Sequence, residues 1–402
     1  MRIFFVSQRV PYPPDRGDKI TTFHEIQHLS KSHDVHVFCL ADGAEDLKNT
    51  VGLAKIVKSV DAVAPSRPRA FSRLVKAFID GTPLSVAFFS EPELHSIITR
   101  KFRELSPDVI LVYSSNVAQF AEHFPDTPRI MQFGDLDSLK FQHYSQRFRS
   151  PKRWLYALEA KRLLRYERHV AQTFSCSLLC TDSEKHDFDR LIGVPHIRVV
   201  RNGVDLEYYR PQGRTKRAGS IIFTGVMDYA PNVDAVVWFC DQILPLVRDV
   251  VPEASFVICG KNPSNAVRAL TTRPGVTVTG QVPDTRSYMD EAKVFVAPLR
   301  IARGIQNKVL EALAMGLPVV SSKPTWEATK LPDGEGIVAA EDPLEFAHSV
   351  MRMLTDETYR ASMAQSARLA VERNYTWAAQ LRLLDQTISD VTDRVASTSM
   401  SA

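Results

Sequence analysis

Short, continuous apolar runs recur along the chain, separated by stretches with helical spacing. Residues 2–7, 35–40, 108–113, 129–133 and 177–181 are such runs, each bounded by turn-forming residues. Continuous rather than alternating hydrophobicity predicts strands covered on both faces, as in parallel sheets. A helical pattern at 19–31 follows the first run. Strand then helix, repeated, predicts βαβ units with right-handed crossovers. The texture breaks over 195–219, a polar, turn-rich stretch holding Asn202-Gly203-Val204-Asp205 and Pro211-Gln212-Gly213. The alternation then restarts. Strands are expected at 220–224, 255–259, 276–279, 293–297 and 318–321. Helices are expected near 232–248, 264–271, 285–292, 305–315, 343–354 and 358–373. A last helical pattern covers 376–394, before a small, polar tail. The pattern predicts an α/β protein with two tandem domains.

Composition agrees and narrows the classes. A chain of 402 residues, 44% hydrophobic and 24% charged, is ordinary globular material with room for two or three cores. Lys and Arg total 50 against 46 Asp and Glu, a net charge of +4. That balance points to no nucleic-acid partner. Five scattered cysteines, most in apolar runs, predict neither a disulfide framework nor a zinc site. No apolar run reaches the roughly 18 residues that span a bilayer, and the opening apolar run is short for a secretory signal. The expectation is a cytoplasmic protein, with attachment to a membrane surface still allowed.

Several catalytic patterns are missing: GxGxxG, the P-loop and GxSxG do not occur. One does occur. His24-Glu25-Ile26-Gln27-His28 is HExxH, with two His one helical turn apart. Ile20, Phe23, Ile26 and Leu29 form the apolar side of that helix, and no third ligand follows at convincing spacing. A solvated helix face is the expected role, with no metal bound.

The most informative segment runs from Val296 to Val320. A strand ends in a loop carrying Arg300, Arg303 and Gly304; a helix follows, stops at Gly316, and the next strand begins at once. Free N–H groups and positive charge at such a helix start favour phosphate. Lys308 and Glu311, three apart, are neighbours on one face, suited to a phosphate and to sugar hydroxyls. A surface ion pair is the competing reading of the same spacing. Gly17, Gly225, Gly260 and Gly280 follow proposed strands, where glycine lets backbone approach a ligand or simply makes a turn.

This segment resembles the signature of the family-four retaining glycosyltransferases of the GT-B fold. Glu311 matches the second Glu of that signature, which holds the nucleotide ribose; Arg303 occupies the position of the first. Gly304, Gln306 and Asn307 match the loop whose amides hold the donor diphosphate. Further matches run along the chain. Pro13-Pro14-Asp15-Arg16-Gly17-Asp18 resembles the family's first glycine loop. Cys180-Thr181-Asp182-Ser183-Glu184 resembles its Val-Ser-Glu strand end. Val200-Arg201-Asn202-Gly203-Val204-Asp205 resembles its hinge, and Phe223-Thr224-Gly225 the first strand of its C-terminal domain. Met227, Asp228 and Tyr229 replace the basic pair that commonly follows that glycine, with Arg300, Arg303 and Lys308 as substitute positive charge. Where family members often carry His-Asp, this chain has Gly134-Asp135-Leu136-Asp137, which makes Asp135 the nearest polar candidate. Within the family the chain looks most like the sugar transferases associated with PEP-CTERM and exosortase exopolysaccharide systems.

The resemblance implies two Rossmann-like domains facing a cleft: 1–205 for the acceptor, 206–375 for the nucleotide sugar, and 376–402 as a return helix and tail. It implies a retaining transfer from a nucleotide-diphosphate sugar to a glycan or lipid-linked acceptor, with the donor as substrate and no cofactor. Asp135, Lys308 and Arg303 are the candidate catalytic residues. Gly17, Gly225, Gly304, Gln306, Asn307 and Glu311 are the candidate donor contacts. A sugar-nucleotide epimerase of the same fold, or a non-catalytic sugar-nucleotide-binding subunit, would share most of these residues. Two basic stretches, 66–78 and 147–169, interleave Arg and Lys with Phe71, Val75, Phe78, Trp154 and Leu155. They fit either an anionic membrane surface or a solvated helix face whose apolar stripe lies in the core.

Overall fold

A computed structural model describes residues 1–65, 67–147, 151–300 and 305–399. The chain divides into two units, Met1–Arg201 with Leu381–Ala402, and Asn202–Gln380. Each is built on one all-parallel sheet with helical connections, the architecture of the GT-B fold.

The first unit holds seven strands: β1 (Arg2–Ser7), β2 (Asp34–Leu40), β3 (Ser59–Val63), β4 (Val109–Tyr113), β5 (Arg129–Gly134), β6 (Cys176–Leu179) and β7 (Ile197–Val199). Their order is β3-β2-β1-β4-β5-β6-β7. β1 is central, with Ile3 paired to Val35 on one side and Val109 on the other. Ile3, Phe4, Phe5 and Val6 are all fully buried, as a strand covered on both faces requires. The second unit holds β8 (Ser220–Thr224), β9 (Ser255–Cys259), β10 (Val276–Gly280), β11 (Val294–Ala297), β12 (Val319–Ser322) and β13 (Ile337–Ala340), ordered β10-β9-β8-β11-β12-β13. In both sheets the chain reverses its direction of strand addition beside β1 or β8. That reversal opens a crevice at the carboxyl ends of the strands, where ligands of such sheets bind.

The helices include α1 (Gly17–Leu29), α2 (Arg67–Asp80), α3 (Lys152–Thr173), α4 (Asp182–Leu191), α5 (Ala230–Trp238), α6 (Asn307–Ala314) and α7 (Trp377–Ser399). Helix α7 starts in the second unit and contributes Leu381, Leu384 and Ile388, all fully buried, to the first. Asp385 accepts a 2.8 Å hydrogen bond from His28 on α1, and Thr387 one of 3.1 Å from Arg198 on β7.

The structure departs from the sequence expectations in identifiable places. β3, β7 and β13 were not expected, and all three are sheet edges. The expected single helix over 232–248 is interrupted: residues 239–243 form a wider, π-type turn before a new helix at Leu244–Val250. Pro245, which has no N–H for the preceding turn, accounts for the break. The strand expected to reach 181 stops at Leu179, because Thr181 caps α4. Its hydroxyl accepts the Glu184 N–H at 3.1 Å, while the Glu184 carboxylate accepts the Cys180 N–H at 3.2 Å.

Helix α1 turns a different side inward from the one expected. Its buried side is Thr21, Thr22, Glu25, Ile26 and Leu29, whereas Ile20 and Phe23 are half-buried. His28 is bonded to Asp385 and Glu25 is fully enclosed, so HExxH does not form a solvated face. The reason is tertiary: the buried Gln132 on β5 donates its Nε2–H to Glu25 Oε1 at 3.2 Å. Among the described residues, no group of three His, Cys, Asp or Glu side chains is placed to hold a metal ion.

Candidate active site

Helix α6 is made of strong helix formers, Lys-Val-Leu-Glu-Ala-Leu-Ala after Asn307, and buries Val309, Leu310 and Leu313. It stops at Gly316, whose φ of +62° is costly for any other residue; Leu317 then donates back to Ala312 at 2.9 Å. With the apolar face turned inward, Lys308 and Glu311 emerge half-buried on the adjoining turn. The Lys308 Nζ donates to Asn232 Oδ1 at 2.5 Å and lies 4.6 Å from the centroid of the Phe223 ring. Asn232, buried on α5, is itself fixed by donating to the Val226 carbonyl at 2.9 Å.

Gly225, just past β8, completes this corner. A Cβ there would stand 2.7 Å from Asn232 Nδ2 and 3.1 Å from Lys308 Nζ, so a side chain would fill the space in front of the ammonium. Gly225 donates to the Cys259 carbonyl at 3.0 Å, and Gly260, past β9, packs its backbone directly on the Gly225 carbonyl. The ends of β8 and β9 and the start of α6 therefore meet with backbone exposed between them.

The electrostatics of this corner suit an anionic ligand. Burial pushes Lys308 down to about 8, partly opposed by the Glu311 carboxylate. Burial raises Glu311 to about 7, against a hydrogen bond from the Tyr209 hydroxyl and the charge of Lys308. Both groups titrate near neutrality because burial desolvates them, and a phosphate beside Lys308 would keep it protonated to higher pH. Gln306 occupies the N-cap of α6 without a side-chain capping bond, and Asn307 Oδ1 accepts from Asn202 Nδ2 at 3.4 Å. The Arg300 guanidinium is bonded to Asp234 at 2.6 Å and lies 5.4 Å from the Trp238 ring centroid, so α5 already balances its charge. Arg303 and Gly304 lie outside the described residues.

A second polar group lies at the carboxyl ends of the strands in the first unit. Asp135 follows β5, is exposed, and shares a hydrogen bond with Glu184, whose carboxyl is held well above the ordinary range by burial and by Asp135. Beneath it lie Tyr113, Cys180, Gln132 and Glu25. Burial raises Glu25 to about 8, against the hydrogen bond from Gln132. Gly134, with φ of +68°, leaves space for the Tyr113 hydroxyl, which a Cβ would approach at 3.0 Å. Asp137 turns elsewhere, accepting from Asn116 at 2.9 Å and pairing with Lys140 at 3.6 Å. Asp135 and Asp137 thus serve different neighbours. Gly17 is the exposed first residue of α1, with open space where a Cβ would stand.

Two family profiles cover most of the chain. One described as "Glycosyltransferase Family 4" matches residues 19–208, and one described as "Glycosyl transferases group 1" matches residues 218–356. The chain is a GT-B-fold glycosyltransferase related to family 4.

Among its relatives are two named GDP-mannose:cellobiosyl-diphosphopolyprenol alpha-mannosyltransferases. The one from Xanthomonas oryzae is 24% identical over 54% of this chain, and the one from Xanthomonas campestris 22% identical over 59%. The matches span 58% and 62% of those proteins, under two thirds of their length. Solved structures share the fold over nearly the whole chain. Sucrose-phosphate synthase from Thermosynechococcus elongatus superposes with a TM-score of 0.71 at 14% identity, over 98% of this chain and 100% of that one. Anabaena HepE, solved with UDP and glucose, gives 0.68 at 14% identity, over 97% and 99%.

In this glycosyltransferase the structure brings Gly225, Lys308 and Glu311 into one corner, with Gln306 and Asn307 at the helix start above them. It adds Asn232 and Tyr209, which the sequence reading did not single out. Neither lies near α6 in sequence, so no spacing rule reaches them. It also adds Glu25 and Gln132 beneath Asp135. Glu25 enters the sequence reading only as part of HExxH, expected there as a solvated helix face, whereas the structure shows a buried acid.

Proposed function

We propose that the glycosyltransferase moves a sugar, with retention of configuration, from a nucleotide-diphosphate donor to a glycan or lipid-linked acceptor in exopolysaccharide biosynthesis. The observation that carries this reading is the Lys308–Asn232–Gly225 corner with Glu311 one turn along. Leaving-group departure puts negative charge on the donor's β-phosphate. Lys308 stands where that charge is best stabilised, and the free N–H groups at the start of α6 add to it. Glu311, held by Tyr209, is placed for the ribose hydroxyls. Gly225 keeps the approach open. Asp135, hydrogen-bonded to the Glu184 carboxyl, is the polar group assigned to the acceptor side; Arg303 and Gly304 are assigned to the diphosphate. The first unit would then hold the acceptor and the second the donor. Same-face attack by the acceptor hydroxyl requires no protein nucleophile, and the resemblance supplies that part of the reading.

The relatives support the acceptor class, since two are named for a diphosphopolyprenol-linked glycan. No described helix is long and apolar enough to cross a membrane. A lipid-linked acceptor would bring the enzyme to a membrane surface. The likeness to PEP-CTERM-associated transferases rests on the sequence resemblance alone.

The test is a panel of GDP-mannose, UDP-glucose and other nucleotide sugars against lipid-linked and free glycan acceptors. Nucleoside diphosphate release and product anomers would be followed by NMR. Acceptor-dependent transfer with retained configuration is expected. Donor binding without turnover on any acceptor would replace this reading with a non-catalytic subunit, and donor isomerisation without acceptor with an epimerase.

A further inference from the structure

Helix α2 is amphipathic in the wrong direction for a helix resting on its own core. Its inward positions are Ala70, Arg73 and Ala77, while Phe71, Val75, Phe78 and Ile79 fall on the outward stripe. Phe71 is 71% exposed and Ile79 82%. Spacing of four, three and one along a helix puts these side chains on one face. A second helix extends the patch. Trp154 on α3 is 60% exposed, and its ring centroid lies 6.2 Å from that of Phe78.

The face is held in this orientation. Arg162 on α3 donates to the carbonyls of Ala77 and Phe78 at 3.0 Å, fastening the last turn of α2. Arg73 turns inward to the carbonyls of Ala87 and Phe88 at 3.2 and 3.3 Å. The buried Glu159 of α3 accepts from the backbone of Leu84 at 2.7 Å and Ser85 at 2.8 Å. The Arg73 and Arg162 bonds fix the orientation of α2, so turning the apolar stripe inward would break them.

Charge around the patch is largely of one sign, the exposed Asp80 at the end of α2 being the exception. The only carboxylates on α3, Glu159 and Glu167, are buried, whereas Lys152, Arg153, Lys161 and Arg165 are exposed. On α2, Lys76 is exposed beside the stripe. Among the described residues none of these five cations has an ion-pair partner. Large exposed aromatic and aliphatic side chains ringed by unpaired cations are complementary to an acyl layer under anionic headgroups.

We propose that the α2–α3 face of the first unit docks on an anionic lipid bilayer, with Phe71, Phe78, Ile79 and Trp154 entering the headgroup–acyl boundary and the surrounding Lys and Arg contacting lipid phosphates. This goes beyond the transfer reaction, and depends on that reading only for its purpose. The direct test is sedimentation of the full chain with vesicles of phosphatidylcholine alone and of phosphatidylcholine mixed equally with phosphatidylglycerol. The chain binds the mixed vesicles, binds the neutral ones much less, and is released by salt. In Phe71→Ser/Ile79→Ser the partition coefficient falls about tenfold or more, as expected when two large apolar side chains no longer leave water. Circular dichroism and donor-induced thermal shift remain as in the unmodified chain, because neither residue packs in the core. Trp154 fluorescence shifts to the blue on mixed vesicles, and Trp154→Phe abolishes that change.

Equal binding to neutral and anionic vesicles, or unchanged partition of the double variant, overturns the proposal. So does a failure to sediment with either vesicle. If that failure accompanies a dimer that the double variant dissolves, the face belongs to a second copy of the chain. Transfer to a water-soluble acceptor is measured in parallel, so loss of the transferase reading and loss of the docking reading give different results.

Discussion

Replacing Lys308 by methionine keeps most of the stem that packs beside Phe223 and removes the ammonium. Two interactions disappear: the 2.5 Å bond to Asn232 and the contact with the Phe223 ring at 4.6 Å. Neither is where the main effect should lie. A unit charge about 4 Å from a phosphate oxygen, at an effective dielectric near 20, is worth about 4 kcal/mol. Removing one preorganised donor from a site of developing negative charge commonly costs about 3–4 kcal/mol, or two to three orders of magnitude in turnover. Lys308 belongs at the upper end of that range, because Arg300 is already matched by Asp234 and does not replace it. The assay is steady-state transfer by Lys308→Met, with donor affinity measured separately by calorimetry. Turnover should fall by about 10²–10³, with a smaller loss of affinity, since charge grows as the leaving group departs. A folded variant that turns over like the unmodified enzyme refutes the assignment.

Three further outcomes follow from the same corner. Glu311→Ala should weaken donor binding by about tenfold or more, as loss of a charge-assisted hydrogen bond does; unchanged affinity in calorimetry removes the ribose role. Gly225→Ala should lower donor affinity and also cost some stability, because its methyl would stand 2.7 Å from the buried, hydrogen-bonded Asn232 amide and 3.1 Å from Lys308; wild-type affinity would show that the ligand does not pass there. Donor affinity should depend on pH on both sides of neutrality. Lys308 is lowered to about 8 and a bound diphosphate raises it again, so affinity is retained below pH 8 and declines as pH rises above it. Glu311, raised to about 7, must ionise to accept from hydroxyls, so affinity also declines below pH 7. Lys308→Met should abolish the alkaline limb and Glu311→Gln the acid limb; profiles identical to the unmodified enzyme would contradict both assignments.

The central strands were legible because burial on both faces demands unbroken apolar runs. β1 and β8 announce themselves as Ile-Phe-Phe-Val and Ile-Ile-Phe. The strands that escaped notice are edges. β3 reads Ser-Val-Asp-Ala-Val and β7 only Ile-Arg-Val, and both are largely half-buried. Edge strands are covered on fewer sides, so composition does not mark them. The site was legible where it is local: Lys308 and Glu311 stand three apart on one helix. Asn232 and Tyr209 reach them from 76 and 102 residues away, a proximity that only the sheet order creates. The apolar stripe of α2 shows the limit of periodicity. Spacing identifies the face, but the inward bonds of Arg73 and Arg162 decide which way it turns.

The path of α7 has a consequence for biosynthesis. Residues 1–201 leave the ribosome before the second unit, yet they lack Leu381, Leu384 and Ile388 until the whole second unit has been synthesised. His28 and Arg198 wait equally long for Asp385 and Thr387. The part made first is thus finished last, and the nascent N-terminal sheet carries an uncovered apolar seam throughout synthesis of the other unit. A message truncated before residue 381 would yield a complete second sheet joined to a first unit that can never close that seam.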